Sequence, residues 1–302
     1  MEAQETPKIS VIMSIYNQWN REQLDAAVMS VLNQTFGDFE FIIYDDGSEQ
    51  EVHTYLERYA EMDSRVVLIS NPVNHGLAYS LNTCIDVAKG KYLARMDADD
   101  VCAPNRFEVQ YNYLENHTEI AFVGCNAKLI DDKGVWGSRK MVENPGRHAF
   151  LRFSPFIHPT VMIRSKIFAD TDAYKVSKGT WRCEDYELFM RLWKLGHRGY
   201  NIQQELFYYR EDRSAYKKRK MKYRIDEMKL RYRNFSELGM LNAWGWLYVI
   251  KPVVAGCVPN FLILFVKRVY HKWKLRNEER VEQKTGAVSE ELEQGTDVAQ
   301  RI

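Results

Sequence analysis

Ala94-Arg95-Met96-Asp97-Ala98-Asp99-Asp100 places three carboxylates at the end of a buried strand, Tyr92 to Met96, where packing alone would not put them. Toward the N-terminus the strand belongs to a repeating pattern. Short β-rich runs at Ile9–Ile15, Phe39–Tyr44 and Val66–Ile69 are each followed by a stretch of helical period, at Glu22–Val31, Gln50–Ala60 and Ala78–Ala88. Alternation of this kind predicts an α/β fold with a mostly parallel, Rossmann-like sheet and helices on both faces. Such sheets take their ligands at the carboxyl ends of the strands. Those ends carry Ser14, Tyr16 and Asn17 after the first run, Asp45 and Asp46 after the second, Asn71 after the third, and Asp97 and Asp99 after the fourth.

Toward the C-terminus the pattern becomes mixed. Beyond Pro104 a helix is expected to Glu115, then apolar runs at Ile120–Cys125 and Ile157–Ile163 with a turn near Gly134 between them. Glu184 to Leu195 reads as a helix, with Leu188, Phe189, Leu192 and Leu195 at helical spacing, Glu184 and Asp185 in its first turn, and Gly196 ending it. Between Arg210 and Arg233 eleven Lys and Arg stand against four Asp and Glu, a net +7 on an expected helix. Leu241–Val266 is rich in Trp, Leu, Val and Phe but interrupted by Lys251, Pro252 and Pro259, and a basic run follows: Lys267, Arg268, Lys272, Lys274 and Arg276. A spanning helix needs about 20 uninterrupted apolar residues. The stretch is therefore expected to lie in a membrane interface; packing on the main domain as ordinary core is the alternative. Glu278–Ile302 has few large apolar residues and no period, so disorder is expected. The domain plan is a catalytic domain over 1–213, a basic and amphipathic helical region over 214–277, and a tail over 278–302.

Composition bounds the rest. The chain has 302 residues, 45% apolar and 13% aromatic, enough for a sizeable core. A net charge of +1 gives no electrostatic case for nucleic acid. The five cysteines are odd in number, irregularly spaced and without a CxxC pair, which argues against a disulfide framework or zinc and fits a reducing cytoplasm. The polar start, Met1 to Lys8, has no secretory character, so the chemistry is expected on the cytoplasmic side.

Carboxylates as close as Asp97 and Asp99 repel unless something positive lies between them. A set of hard oxygen ligands suits Mg²⁺ or Mn²⁺, which bridge to phosphate oxygens. A helix N-cap at Asp99 or Asp100 is the competing explanation. Tyr44-Asp45-Asp46-Gly47-Ser48 reads either as a plain turn or as a carboxylate that accepts a uracil N–H or a ribose hydroxyl. Neither a GxGxxG nor a P-loop pattern follows the first strand.

Taken in order, Ile9-Ser10-Val11-Ile12-Met13-Ser14-Ile15-Tyr16-Asn17, Tyr44-Asp45-Asp46-Gly47-Ser48, Asn74-His75-Gly76-Leu77-Ala78 with Ser80-Leu81-Asn82, and Gly90 through Asp100 resemble the family 2 glycosyltransferases of the GT-A fold, over about two thirds of the chain, through Glu184-Asp185. The resemblance implies that Asp46 holds the base, that Asp97 and Asp99 hold ribose and the metal-diphosphate, and that Asp185 is the catalytic base with Glu184 as its understudy. Ser14, Tyr16, Asn17, Asn71 and Arg95 would line or lie near the nucleotide-sugar pocket. His158, in Ile157-His158-Pro159-Thr160, and Arg210 and Arg213 are further candidates for phosphate or acceptor contact, each explained as well by a structural or solvated role. A base is needed independently of the family, because a sugar hydroxyl is a poor nucleophile until a carboxylate takes its proton. Attack opposite the leaving group implies inversion.

The Gln-x-x-Arg-Trp motif of processive members is absent, Arg191-Leu192-Trp193 standing instead, so one sugar per encounter is expected. The resemblance is nearest to bacterial capsule and exopolysaccharide enzymes, which implies a nucleotide-sugar donor, with uridine by analogy, and a glycan or lipid-diphosphate-linked acceptor. Peripheral attachment to the inner face of the cytoplasmic membrane fits the basic and apolar C-terminal stretches. Two competing functions are a sugar-nucleotide nucleotidyltransferase, disfavoured because Ser14–Asn20 contains no glycine, and a non-catalytic carbohydrate-binding relative.

Overall fold

The computed structural model describes residues 6–211, 220–258 and 269. The first four strands are β1 (Ile9–Ile15), β2 (Phe39–Asp46), β3 (Val66–Asn71) and β4 (Tyr92–Met96), alternating with helices α1 (Arg21–Leu32), α2 (Gln50–Met62) and α3 (Leu77–Val87). They lie parallel in the order β3-β2-β1-β4. Period-2 alternation sends successive side chains to opposite faces. Val11, Met13, Phe41, Ile43, Ala94 and Met96 pack into one core with Leu24 and Val28 of α1 and Leu56 of α2. Ile12, Ile42, Tyr44 and Leu93 pack into a second with Leu81 of α3. β1, β2 and β4 are buried nearly throughout because both their faces are covered, whereas the edge strand β3 is partly exposed.

Gly90 turns the chain into β4 where a side chain has no room. A Cβ there would stand 2.4 Å from the Ser10 backbone nitrogen, and its N–H donates to Ser10 Oγ at 2.7 Å.

The second half of the sheet is mixed. β5 (Val101–Cys102) and α4 (Arg106–Asn116) precede a hairpin of β6 (Phe122–Asp131) and β7 (Gly134–Arg139), in which Gly134 has φ of +104°. β8 (Met162–Arg164) runs antiparallel between β4 and β6, and β9 (Gly199–Arg210) pairs parallel with β6. β5 then pairs antiparallel with the end of β9, Val101 opposite Tyr208. Short α5 (Ile167–Asp170) and long α6 (Glu184–Lys194) lie between β8 and β9; α7 (Met221–Glu237) and α8 (Ala243–Gly256) follow. Phe189 of α6, Leu230 of α7 and Val249 of α8 join the second core.

The helix expected beyond Pro104 is α4, and its first residue, Arg106, buries a guanidinium that donates to the Arg95 carbonyl at 2.9 Å and so braces the acidic strand end. The apolar run Ile157–Ile163 divides: Pro159 has no N–H for a ladder, and a 3-10 turn at His158–Thr160 precedes β8. The helix expected between Arg210 and Arg233 is corrected at its start, since Arg210 ends a strand and α7 begins at Met221. Pro252 is helical. It lies inside α8, where the carbonyl of Tyr248, freed by the missing N–H, accepts from Arg231 at 3.4 Å. Arg213, Pro259, the basic run from Lys267 and the tail over 278–302 lie outside the described residues.

Candidate active site

After β4 the chain turns at Ala98–Asp99 and enters β5, so Asp99 and Asp100 cap no helix, and that explanation of the acidic run lapses. The carboxylates of Asp97, Asp99 and Asp100 gather with ligand atoms within 4.8 Å of one another. Arg95 points from the strand beneath them and pairs with Asp97 at 2.5 Å. Burial opposes the Arg95 charge, but Asp97 outweighs it and the guanidinium is held firmly protonated. Asp100 is buried. Burial, then Asp99 and Asp97, push its carboxyl well above the ordinary range against the pull of the Arg210 N–H and Arg95. The pairing of β5 with β9 delivers that N–H, which donates to Asp100 Oδ1 at 2.6 Å, while Arg210 Nε donates to the Asp99 carbonyl at 2.9 Å. Asp100 Oδ2 is buried with no hydrogen-bond partner among the described residues. Three converging carboxylates, one carrying an orphaned oxygen, fit a hard divalent cation such as Mg²⁺ or Mn²⁺.

At the neighbouring strand end Asp45 and Asp46 are buried residues of β2 rather than members of an open turn. Asp46 accepts from the N–H of His75 at 2.9 Å and of Gly76 at 2.8 Å, fixing the loop that starts α3. Gly47 (φ +76°) lies against that loop, where a Cβ would meet the Asn74 nitrogen at 2.7 Å. Asp45 accepts from the Ser48 N–H at 3.0 Å and contacts His53 Nδ1 at 2.8 Å. Asn17 (φ +47°) bridges β1 to the same region: its N–H donates to Ser48 Oγ at 3.0 Å, and its Oδ1 accepts from the Glu49 N–H at 2.8 Å. Asn71 contacts His75 Nδ1 at 3.0 Å. Ser14 is half-buried beside Tyr44, and Tyr16 is exposed. Asn17, Asp46 and Asn71 thus share one hydrogen-bonded rim, and these contacts account for the buried acids of β2 without any ligand.

The third part comes from α6. Arg182, in the left-handed region at φ +68°, swings the chain into the helix. Burial raises the Glu184 carboxyl, the N–H groups of Glu184 and Arg182 pull it back down, and the Asp185 charge adds to the rise. Tyr174 joins this end to the acidic cluster. Burial raises its hydroxyl pKa, Arg95 opposes the rise, and Asp185, Asp97 and Glu184 all reinforce it, so the phenol feels both halves of the site. His158 Nε2 lies 2.6 Å from the Tyr174 oxygen. Burial and Arg95 hold that imidazole well below its ordinary pKa, so it is neutral.

Asp97, Asp99, Glu184, Asp185, Arg95, His158 and Arg210 therefore fall in one neighbourhood. Asp100 and Tyr174 were not among the expected site residues. Asp100 stood inside the quoted acidic run, whereas Tyr174 has no local signal. It is fixed from afar, its N–H donating to Asn82 Oδ1 and its carbonyl accepting from Asn82 Nδ2, both at 2.8 Å.

The chain is similar to known proteins along most of its length. The chain is 35% identical over 286 residues, 94% of its own length and 99% of the other's, to EpsE of Bacillus subtilis (strain 168), a protein named as a glycosyltransferase. It is 34% identical to the O-antigen biosynthesis glycosyltransferase WbnJ of Escherichia coli, over 61% of this chain and 71% of that one. To the Escherichia coli UDP-Glc:α-D-GlcNAc-diphosphoundecaprenol β-1,3-glucosyltransferase WfgD it is 30% identical, over 43% and 49% of the two chains. Among solved structures, S. aureus TarS 1-349 in complex with UDP-GlcNAc superposes with a TM-score of 0.61 at 17% identity, over 82% of this chain and 71% of that one, which shows the shared GT-A fold. The model of glycosyl transferase family 2 matches residues 10–175, more than half of the sequence, and the chain belongs to that family.

Proposed function

We propose that the chain is an inverting, metal-dependent hexosyltransferase that moves one sugar at a time from a UDP-sugar to a hydroxyl of a glycan or lipid-linked saccharide in bacterial surface-polysaccharide synthesis. The observation that carries the reading is the gathering of the Asp97, Asp99 and Asp100 carboxylates within 4.8 Å over Arg95; the Tyr174 hydroxyl, 2.6 Å from His158, feels the charges of this cluster and those of Asp185 and Glu184 of α6. Asp97 and Asp99 would hold Mn²⁺ or Mg²⁺, which when bound offsets the charge that builds on a departing diphosphate. Arg95, paired with Asp97, fixes the direction of that carboxylate. Asp185 takes the proton of the acceptor hydroxyl as its oxygen attacks the anomeric carbon; the bond from that carbon to the diphosphate oxygen breaks on the opposite face, inverting the centre. Glu184, oriented by backbone N–H groups, flanks the base. Ser14, Tyr16, Asn17 and Asn71 line the nucleoside side, and Asp46 contributes through the loop it holds and through the second lone pairs of its oxygens. The names of WfgD and of the TarS complex support a UDP-sugar donor, and WfgD's a lipid-diphosphate acceptor.

In the same proposal residues 1–213 form the catalytic domain and 214–277 a region that holds it to the cytoplasmic face of the membrane. No helix among the described residues is long and apolar enough to cross a bilayer. One face of α8 packs through Gly245, Val249 and Pro252, while Trp244, Trp246, Leu247, Ile250 and Val254 are exposed. Lys222, Lys229 and Arg233 are exposed on adjoining α7, whose Tyr232 ring contacts Trp246 at 5.4 Å. Exposed aromatic and aliphatic side chains beside cations complement an anionic lipid surface.

The test is calorimetric titration with nucleoside diphosphates, first with Mn²⁺ or Mg²⁺ and then with chelator. Tight binding of UDP that vanishes on chelation is the expected result, and absence of binding to every nucleotide would return the chain to a non-catalytic role.

A further inference from the structure

The segment Lys175-Val176-Ser177-Lys178-Gly179-Thr180-Trp181-Arg182 runs directly into Glu184 and Asp185 and has no part in the chemistry above. Lys175, Lys178 and Arg182 are exposed, and none is in an ion pair within 4 Å among the described residues. The Arg182 charge acts on Glu184. Three exposed cations on a mobile loop would be unremarkable, but this loop is built. Buried Thr180 donates from Oγ1 to the Lys175 and Ser177 carbonyls, at 2.8 and 2.9 Å, and its own carbonyl accepts the Cys183 N–H at 2.8 Å. Upstream, Asn82 clamps the backbone of Tyr174, and Arg191, paired with buried Glu187, donates to the carbonyls of Asp172 and Ala173. The backbone that carries the cations is thus held in place, and it leads into the first turn of α6, which bears Asp185. Arg182 is three residues from Asp185, which limits their Cα separation to about 10 Å.

The loop also adjoins the apolar surface. Trp181 is exposed, and its ring lies 6.5 Å from that of Tyr223 at the start of α7. Met221, two residues before Tyr223, is exposed and packs on the end of α8, where a Cβ on Gly256 would stand 3.0 Å from Met221 Cε. Trp181 therefore sets the loop against the start of α7, the helix that packs on α8. Arg210, the cation on the donor side, is already occupied by the Asp99 carbonyl and by Asp132 at 3.1 Å.

We propose that Lys175, Lys178 and Arg182 form a binding site for the phosphate groups of a prenyl-phosphate-linked acceptor, placed where the lipid leaves the apolar face and the saccharide enters the site. The proposal rests on the transferase reading. Phosphate oxygens match both the fork of an arginine and the point charges of two lysines, and fixing the phosphates would set which hydroxyl reaches Asp185.

The probe is geranylgeranyl diphosphate in detergent, titrated into the full chain with EDTA present so that the acidic cluster cannot hold the diphosphate through a metal. Wild-type protein should bind it, and Lys175→Glu/Lys178→Glu should weaken binding at least about tenfold, the scale of one or two lost charge-assisted contacts. Geranylgeraniol, the same lipid without phosphate, and phosphatidylglycerol vesicles without prenyl phosphate should bind wild type and variant alike. Equal binding of geranylgeranyl diphosphate by both proteins, or none by wild type, overturns the proposal. A loss of vesicle binding in the same proportion also overturns it, and makes the loop a contact for bilayer headgroups. Titration of UDP with Mn²⁺ separates the two readings: no UDP binding by wild type sinks the transferase reading, whereas intact UDP binding with no effect of the variant sinks only the phosphate site.

Discussion

Replacing Trp244 and Leu247 by serine tests whether the open face of α8 is an interface. Trp244 is 70% and Leu247 54% exposed, so in water neither substitution removes much packing, and each should change folding stability by less than about 0.5 kcal/mol. If the face enters a bilayer, the cost appears there instead. A tryptophan with roughly 140 Å² of exposed surface, at about 25 cal/mol per Å², loses about 3.5 kcal/mol on full insertion, and a half-exposed leucine adds about 1 kcal/mol. Insertion to half that depth still leaves about 2 kcal/mol, roughly a thirtyfold fall in partition coefficient. The assay is co-flotation with vesicles of mixed phosphatidylglycerol and phosphatidylcholine, beside urea unfolding of the same proteins. Unchanged partitioning together with a stability loss above about 2 kcal/mol would refute the reasoning and return α8 to the role of ordinary core.

Asp99→Ala should abolish metal-dependent UDP binding in calorimetry, while Asp185→Asn should bind UDP as wild type does and reduce transfer by at least about a hundredfold; equal loss of binding in both would contradict the division of labour. Tyr174→Phe leaves His158 Nε2 without its partner at 2.6 Å and should cost about 1–3 kcal/mol in urea unfolding. Gly90→Ala drives a Cβ against backbone at 2.4 Å and should destabilise by about 1–3 kcal/mol or more, a loss that a normal unfolding midpoint would disprove. His158, held below its ordinary pKa of 6.5, gains a proton only on unfolding. Stability should therefore fall as pH drops below that value, by up to about 1.4 kcal/mol per unit, and His158→Gln should flatten the slope between about pH 6.5 and 5 when measured in EDTA.

How much of this was legible in the sequence depended on whether the cause was local. β1 and β4 were readable to the residue because an apolar run buried on both faces stops where the chain reaches the ligand edge. β2 was cut short by two residues because Asp45 and Asp46 look like turn formers; they are strand residues because amides at Ser48, His75 and Gly76 satisfy their buried oxygens. Pro252 was legible as an interruption of an apolar stretch but not as a helical residue, because the Tyr248 carbonyl that it leaves free accepts from Arg231 of another helix. The two-residue β5 carries no pattern at all, yet its pairing with β9 brings the Arg210 N–H to Asp100. The acids of the site announced themselves as runs of charge, whereas the contacts that aim them come from residues distant in sequence.

Tyr174 shows why that distinction bears on function. Asp97 and Asp185 are 88 residues apart in the sequence, and a transferase needs donor phosphate and acceptor proton handled within one reaction event. The loop ending at Arg182 links them. Asn82 of α3 and Arg191 of α6 clamp it at Tyr174, and that phenol lies 2.6 Å from His158 Nε2 and feels the charges of Arg95 and Asp97 as well as those of Asp185 and Glu184. On the proposed roles, a shift of this loop would move the base Asp185 relative to Asp97 and Asp99, and the acceptor's phosphates with it. Loosening the clamp, as by Asn82→Ala, should therefore lower transfer more than it weakens UDP binding, because the rim formed by Asn17, Asp46 and Asn71 is held by a separate set of hydrogen bonds. A parallel loss of UDP affinity would mean that the two halves of the site are not independently supported.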